Sequence, residues 1–326
     1  LTLKTIVNTG IHPNVGAVLV VGLGCEGAEP LEVYNEIKKT GKKVEMITIQ
    51  GEGGTLKAFA KGVSISRKFA QELSLEKKVE CDISELILGM ECGGSDTTSG
   101  LASNPTCGVA SDILVGMGGT SILSETTEFI GAEHVVARRG INEKVSQEIL
   151  NLVRVCEERA MALGEDIRGG QPTPGNIEGG LTSIEEKSLG CIHKSGTAPF
   201  QGVLQYADIP AEKGLFIMDT PGQDIESITG MVAGGAQVVI FTTGRGTPTG
   251  NPLAPVIKLT GNFHTFKNME DNIDVDASHV IYGPESLEEL GEKLLKEVIE
   301  VASGKLVKAE ILGFIETSVM RICNYA

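Results

Sequence analysis

The sequence predicts an α/β protein of two Rossmann-like lobes with mainly parallel sheets. Three observations carry that prediction. Short β-branched apolar runs recur along the chain, segments of helical period lie between them, and most of the 42 glycines fall directly after the apolar runs. A parallel strand is covered by helices on both faces and therefore reads as continuously apolar rather than alternating. Strands alternating with helices build an α/β sheet.

The expected strands are Ala17 to Val21, Val44 to Ile49, Leu86 to Met90, Ser121 to Leu123, Leu215 to Met218, Val238 to Phe241, Val256 to Leu259 and Val280 to Tyr282. The expected helices are Pro30 to Lys39, Leu56 to Leu73, Val109 to Met117, Asn142 to Leu163, Ile225 to Val232 and Ser286 to Ala302. After the long fourth helix comes Arg168-Gly-Gly-Gln-Pro-Thr-Pro-Gly-Asn-Ile-Glu-Gly-Gly180, too rich in Gly and Pro for regular structure. Such a stretch is either a linker or a functional loop. It divides the chain into a first lobe, 1–166, and a second lobe, 167–326, that opens with the Gly/Pro-rich loop.

A chain of 326 residues suits one large or two ordinary domains. With 41% apolar and 22% charged residues it is too hydrophobic for a disordered chain. Its 28 basic residues against 43 acidic ones leave a net charge of −15, which repels nucleic acid and anionic membrane surfaces. An anionic substrate must therefore meet local basic groups. No apolar run is long enough to span a bilayer and the first ten residues lack a signal peptide's apolar centre, so a cytoplasmic protein is expected. Seven scattered cysteines without a CxxC pair point to reduced thiols.

Ligands of an open parallel sheet bind beyond the carboxyl ends of its strands, and here those ends are polar. They read Gly22-Leu-Gly-Cys25-Glu26-Gly27, Glu91-Cys92-Gly-Gly-Ser95-Asp96, Ser124-Glu125-Thr-Thr-Glu128, Asp219-Thr-Pro-Gly222 and Thr242-Thr-Gly-Arg245-Gly-Thr247. The glycines allow close backbone approach to a ligand, and the following hydroxyls and amides suit carboxylate or hydroxyl oxygens; Ser95 and Asp96 are equally good helix caps. The first loop lacks GxGxxG spacing and no GxxxxGK[ST] occurs, which disfavours a nucleotide cofactor. Cys25, Cys92, Cys191 and His193, with Glu26, Glu91, Glu125 and Glu128, offer ligands suited to a borderline divalent metal, without tight ligand spacing. Cys81, Cys156 and Cys323 read as small buried hydrophobes, and His12, His264 and His279 as surface residues. Arg245 in its Gly-rich loop can grip a carboxylate bidentately, and Lys194 beside Ser195 is a second basic group.

Several blocks together resemble one family. They are Met90-Glu-Cys-Gly-Gly-Ser-Asp-Thr-Thr-Ser-Gly-Leu-Ala-Ser-Asn-Pro105, Ser124-Glu-Thr-Thr-Glu-Phe-Ile-Gly-Ala-Glu-His134, Thr173-Pro-Gly-Asn176, Glu186-Lys-Ser-Leu-Gly190 and Phe241-Thr-Thr-Gly-Arg-Gly-Thr-Pro248. They look like the catalytic large part of altronate and galactarate dehydratases, a family that also includes sulfolactate sulfo-lyase large subunits. The similarity runs from Pro13-Asn14 to Val301-Ala-Ser-Gly304.

The resemblance implies a lyase that uses iron(II) or manganese(II) and acts on a polyhydroxy carboxylate. A base removes the α-proton, an enolate forms, and the β-hydroxyl leaves to give a 2-keto-3-deoxy acid. By matched position Asp96, Glu125 and Lys194 are expected to be catalytic, with carboxylate binding a further role for Lys194. Ser95, Asn104, Thr243, Arg245 and Thr247 are expected to bind substrate, and Cys25 and Cys92 to lie at the metal. The resemblance also implies a small SAF-domain subunit or fused domain, and a homo-oligomer is expected. If upstream strands belong to the sheet, the chain by itself would carry an unpaired edge. The alternatives are a sulfolactate sulfo-lyase large subunit, or an incomplete domain that needs the SAF-type partner.

Overall fold

A computed structural model describes residues 1–26 and 29–320, and its elements are given for those residues. They form two compact units, one of Leu1–Cys81 with Val319 and Met320, the other of Asp82–Ser318.

The first unit runs α1 (Thr2–Ile11), β1 (Ala17–Gly22), α2 (Pro30–Lys39), β2 (Lys43–Thr48), α3 (Thr55–Leu73). Strands β1 and β2 pair in parallel, from Ala17 opposite Lys43 to Gly22 opposite Thr48. Pro30 occupies the first turn of α2, where its missing N–H costs nothing, and Val33 and Ile37 are the buried residues of that helix. The turn after β1 closes on Glu26, whose carboxylate accepts from the backbone N–H groups of Leu23 (2.7 Å), Gly24 (2.6 Å) and Cys25 (2.8 Å). His12, expected at the surface, is 1% exposed, and its Nδ1 accepts from the Asn14 N–H.

The second unit begins β3 (Ile87–Gly93), α4 (Asn104–Gly116), β4 (Thr120–Leu123), α5 (Glu133–Ala137), α6 (Glu143–Ala162), α7 (Ile167–Gly170), α8 (Pro174–Glu178), α9 (Ile184–Cys191). It continues β5 (Phe200–Leu204), β6 (Gly214–Met218), α10 (Asp224–Ala233), β7 (Val238–Thr243), β8 (Val256–Thr260), α11 (Phe263–Asn268), β9 (Val275–Asp276), α12 (His279–Tyr282), α13 (Leu287–Ala302), α14 (Lys308–Leu312). Among the described residues the seven strands lie in the order β5-β6-β4-β3-β7-β8-β9, and every pairing is parallel.

The apolar runs are continuous because both faces of this sheet are covered. Leu88, Met90, Val238, Ile240, Ile257 and Leu259 pack with α4, α6 and α13. Ile122, Met218, Val239, Phe241 and Val256 pack with Ile228, Met231 and Val232 of α10. Helix α13 starts at a reciprocal cap between Ser286 and Glu289, which satisfies backbone donors that the helix leaves open.

The expected helices and all but one of the expected strands are present within about five residues at each end, while helices α1, α5, α7, α8, α9, α11 and α14 were not expected. Val280–Tyr282 belongs to the short helix α12, because a three-residue apolar run is too short to decide its own period. Strands β5 and β9 were not expected; β5 is an edge strand with Gln and Gly inside it and a register shift at Gly202, so it carries no apolar run. The compact units divide at 81/82 rather than at 166, since β3 and β4 from before residue 166 share a sheet with β5 to β9 from after it. Cys81 is exposed and Cys156 partly buried, neither a core residue, and Cys323 lies outside the described residues.

Candidate active site

The chain leaves β3 toward β4 on one side and returns to its other side at β7, so β3 is the point where strand order reverses. A parallel sheet opens a crevice at such a point, beyond the carboxyl ends of the strands. Successive residues of β3 point to opposite faces there. Glu91 meets α10, where Ser227 Oγ donates to its Oε2 at 2.6 Å, and Ser124 Oγ donates to the same atom at 2.7 Å. Glu91 is fully buried, and its Oε1 has no hydrogen-bond partner among the described residues. Burial and the neighbouring Glu125 push its pKa well above the ordinary carboxylate value. On the other face Cys92 Sγ lies 3.7 Å from Cys191 Sγ, at the end of α9.

Beyond β4 the chain turns at Glu125, a non-glycine residue in the left-handed region with φ 67° and ψ 74°. That conformation costs on the order of 1 kcal/mol, and surrounding contacts impose it. The Glu125 N–H donates to Thr220 Oγ1 at 2.6 Å, while its Oε2 accepts from Lys194 Nζ at 2.8 Å and from the Cys92 N–H at 2.8 Å. Lys194 is fully buried. Burial opposes its charge, but the acidic groups packed round it, Cys92, Glu125, Cys191 and Glu128, outweigh that and hold its pKa well above the ordinary value.

The turn that carries Lys194 is fixed from three directions. Helix α4 approaches it so closely that a Cβ on Gly108 would lie 2.2 Å from the His193 carbonyl oxygen. The Asp112 carboxylate accepts from the N–H groups of Thr197 and Ala198. Arg139 donates to the Ser195 and Ala198 carbonyls, at 2.9 and 2.8 Å.

Glu128 completes the centre. Its Oε2 accepts from the Cys191 thiol at 2.7 Å and its Oε1 lies 3.0 Å from Lys187 Nζ. Burial would raise the Glu128 pKa, yet Lys187 and Lys194 more than compensate and it falls below the usual value. The carboxylates of Glu125 and Glu128 thus face the ammoniums of Lys194 and Lys187. The donor atoms of Cys92, Glu128 and Cys191 all lie within 4.8 Å of one another. Two thiolates on one tetrahedral ion at about 2.3 Å stand about 3.8 Å apart, which the Cys92–Cys191 spacing of 3.7 Å matches. The residues therefore fit a divalent ion that accepts sulfur and oxygen donors.

A cavity of about 290 Å³ opens beside this centre, with Ser95, Asp96, Asn104, Lys187, Cys191 and His193 on its wall. Of the residues expected from sequence, Glu125, Lys194 and Cys92 meet in the buried centre, and Ser95, Asp96 and Asn104 line the cavity. Asp96 is heavily engaged: Oδ1 accepts from Thr98 Oγ1 and from the N–H and hydroxyl of Ser99, and Oδ2 accepts from Asn262 Nδ2. Asn104 donates to the Gly190 carbonyl and accepts from Thr242 Oγ1. Thr243 and Thr247 brace their own loop, accepting from the N–H groups of Gly246 and Thr249. Arg245 is half exposed, pairs with Glu178 at 2.8 Å and does not line the cavity. Cys25 belongs to the other compact unit and is exposed. The cavity lysine, Lys187, was missed; its only sequence signal is its place in the Glu186-Lys-Ser-Leu-Gly190 block.

Comparison with known proteins bears on this arrangement. Residues 83–324 match the model of the D-galactarate/altronate dehydratase C-terminal domain, and residues 1–74 match the second domain of D-galactarate dehydratase/altronate hydrolase. The chain belongs to the galactarate/altronate dehydratase family. It is 39% identical to the (2R)-sulfolactate sulfo-lyase subunit beta of Chromohalobacter salexigens over 99% of this chain and 83% of that protein. Identity to the altronate dehydratase of Bacillus subtilis is 34%, over 98% of this chain and 64% of that protein. For the L-threo-forming galactarate dehydratase of Escherichia coli it is 36%, over 93% and 59%. The chain thus spans under two thirds of these two dehydratases. The family's second and C-terminal domain matches meet where the two compact units divide. These family members are named as dehydratases and lyases.

Proposed function

We propose that this chain holds the catalytic centre of a metal-dependent dehydratase that removes water from a sugar acid such as altronate or galactarate, giving a 2-keto-3-deoxy acid. One observation supports this above the others: Cys92, Glu128 and Cys191 converge with the Glu125–Lys194 pair beside a cavity, where a strand order reverses. Cys92, Glu128 and Cys191 would hold iron(II) or manganese(II), and such an ion supplies Lewis acidity toward the oxygens of a hydroxy acid. Glu125 takes the proton α to the carboxylate, and Lys194, on the same carboxylate, balances the negative charge of the enolate. The C–O bond to the β-hydroxyl then breaks, the departing oxygen takes the proton from Glu125 and leaves as water, and the resulting enol tautomerises to the keto acid. Asp96 and Asn104, tied into the loops around β3, shape the cavity. A small SAF-type subunit, a homo-oligomer and a cytoplasmic location belong to the same reading; no helix among the described residues is long and apolar enough to cross a membrane.

The second reading is release of sulfite from sulfolactate, favoured by the long alignment with the sulfo-lyase subunit beta. An anaerobic assay with iron(II), and separately manganese(II), offered altronate, galactarate and sulfolactate, separates the two. Keto acid without sulfite is the expected result, whereas sulfite moves the protein to the second reading. Silence with and without a SAF-type subunit would overturn both. Metal content supplies an independent readout: Cys191→Ser is expected to lower bound iron at least tenfold, and unchanged iron would remove Cys191 from the centre.

A further inference from the structure

An acid entering a protein of net charge −15 must be met by a cation on the cavity wall. The two cations expected from sequence are not on that wall. Arg245 is outside it and paired with Glu178, and Lys194 is fully buried against Glu125. The ionisable groups that do line it are Asp96, Glu186, Lys187, Cys191 and His193. Asp96 is engaged by four donor groups, and Glu186 accepts from the N–H and hydroxyl of Thr182. The charge on His193, a histidine, is not permanent at neutral pH. Lys187 is therefore the one permanent cation among the described residues that line the cavity.

We propose that Lys187 is the residue that selects an acid in this cavity, its ammonium receiving the substrate carboxylate; the inference rests on the sugar-acid reading above. Its side chain is 12% exposed, enough to reach a ligand yet mostly dry. Two contacts hold it in place, Gln171 Oε1 at 2.9 Å and Glu128 Oε1 at 3.0 Å. An ammonium carries three N–H groups, so a third remains for a ligand oxygen. Gln171 lies on the loop before α8 and Glu128 on the turn after β4, so the ammonium is positioned from two separate segments. A carboxylate bound there would lie next to Cys191 and Glu128, bringing its α-carbon to the centre that does the chemistry.

The test uses the full chain loaded with iron(II) under anaerobic conditions. Whichever of altronate and galactarate the wild type turns over is compared with its neutral amide, by calorimetric binding and by kcat and KM. The wild type is expected to bind the acid about 10- to 100-fold more tightly than the amide, as for one charge-assisted hydrogen bond in a mostly buried site. Lys187→Met should remove that preference at unchanged iron content, raising the KM for the acid, and Lys187→Arg should keep most of it. Arg245→Ala should leave it intact. A wild type that binds amide and acid alike overturns the assignment without need of any variant. So does a Lys187→Met protein that retains the preference, or a Lys187→Arg protein that loses it. If the wild type, with and without a SAF-type subunit, turns over neither acid and binds neither, the sugar-acid reading itself has failed and the assignment falls with it. Turnover by the wild type with the preference unmoved in Lys187→Met sinks the Lys187 assignment alone.

Discussion

At the scale of single residues, the buried Glu125–Lys194 pair sets the strongest expectations. Removing one partner leaves an uncompensated buried charge, so Lys194→Met should cost about 3–5 kcal/mol in a denaturant titration. Glu125→Gln keeps the shape and removes the base; it should lower kcat by about 100-fold or more while the protein remains folded. Wild-type kcat in that variant would take Glu125 out of the chemistry. Asp224, at the start of α10, supplies a pH signature. Burial, with the charges of Glu125 and Glu128, raises its pKa from 3.8 to about 6, against the smaller opposing effect of Lys194. The folded protein therefore binds this proton more tightly than the unfolded chain, and stability falls as pH rises from about 4 through 6. Asp224→Asn should be more stable than wild type above pH 6, by about 2 kcal/mol once partial exposure is allowed for, and equal to it near pH 4. Parallel stability curves across that range would show that Asp224 does not titrate there.

At the scale of elements, the site depends on close packing between pieces far apart in sequence. Gly108 lets α4 touch the turn that carries Lys194, and its missing Cβ leaves no room for even a methyl group. Gly108→Ala, which would otherwise favour a helix, should instead displace that turn, losing at least tenfold in kcat and on the order of 1–3 kcal/mol of stability. A fully active and stabilised variant would show that the contact does not position Lys194. Apolar runs made β3, β4, β6, β7 and β8 legible because each is buried on both faces, as Leu88 and Val239 illustrate. Edge strand β5 was not legible, since a strand covered on fewer sides need not be apolar. The cap before α6 was legible: Asn142, read as its start, accepts from the Val145 N–H.

At the scale of the whole molecule, two compact units meet along the chain at 81/82, after an exposed segment, 75–82, that includes Lys77 and Lys78. Exposed connecting segments are cut first by proteases. Limited trypsin digestion, read by mass spectrometry, should therefore cut first after Lys77 or Lys78 and give two fragments. First cleavage at Arg168 would instead favour the boundary expected from the Gly/Pro-rich stretch. That stretch misled because Gly and Pro report irregular backbone, whether it links domains or lies within one. Here it supplies Gln171, which holds Lys187, and Asn176, whose side chain donates to the Ser95 carbonyl.

The sequence by itself determined the fold class, most of the strands and helices, and which strand ends carry chemistry. Those properties are local: apolar period, glycine position and polar residues directly after a buried strand are written in consecutive residues. Only the tertiary structure decided which of those residues meet. Cys92 and Cys191 are 99 residues apart, Glu125 and Lys194 are 69 apart, and Gln171 reaches Lys187 from a Gly/Pro-rich loop read as either a linker or a functional loop. Arg245 and Cys25 looked equal to them on residue type, yet one ends on a surface ion pair and the other in a separate compact unit. Chain reversal at β3 and helix packing set those meetings, and no spacing along a single chain encodes them.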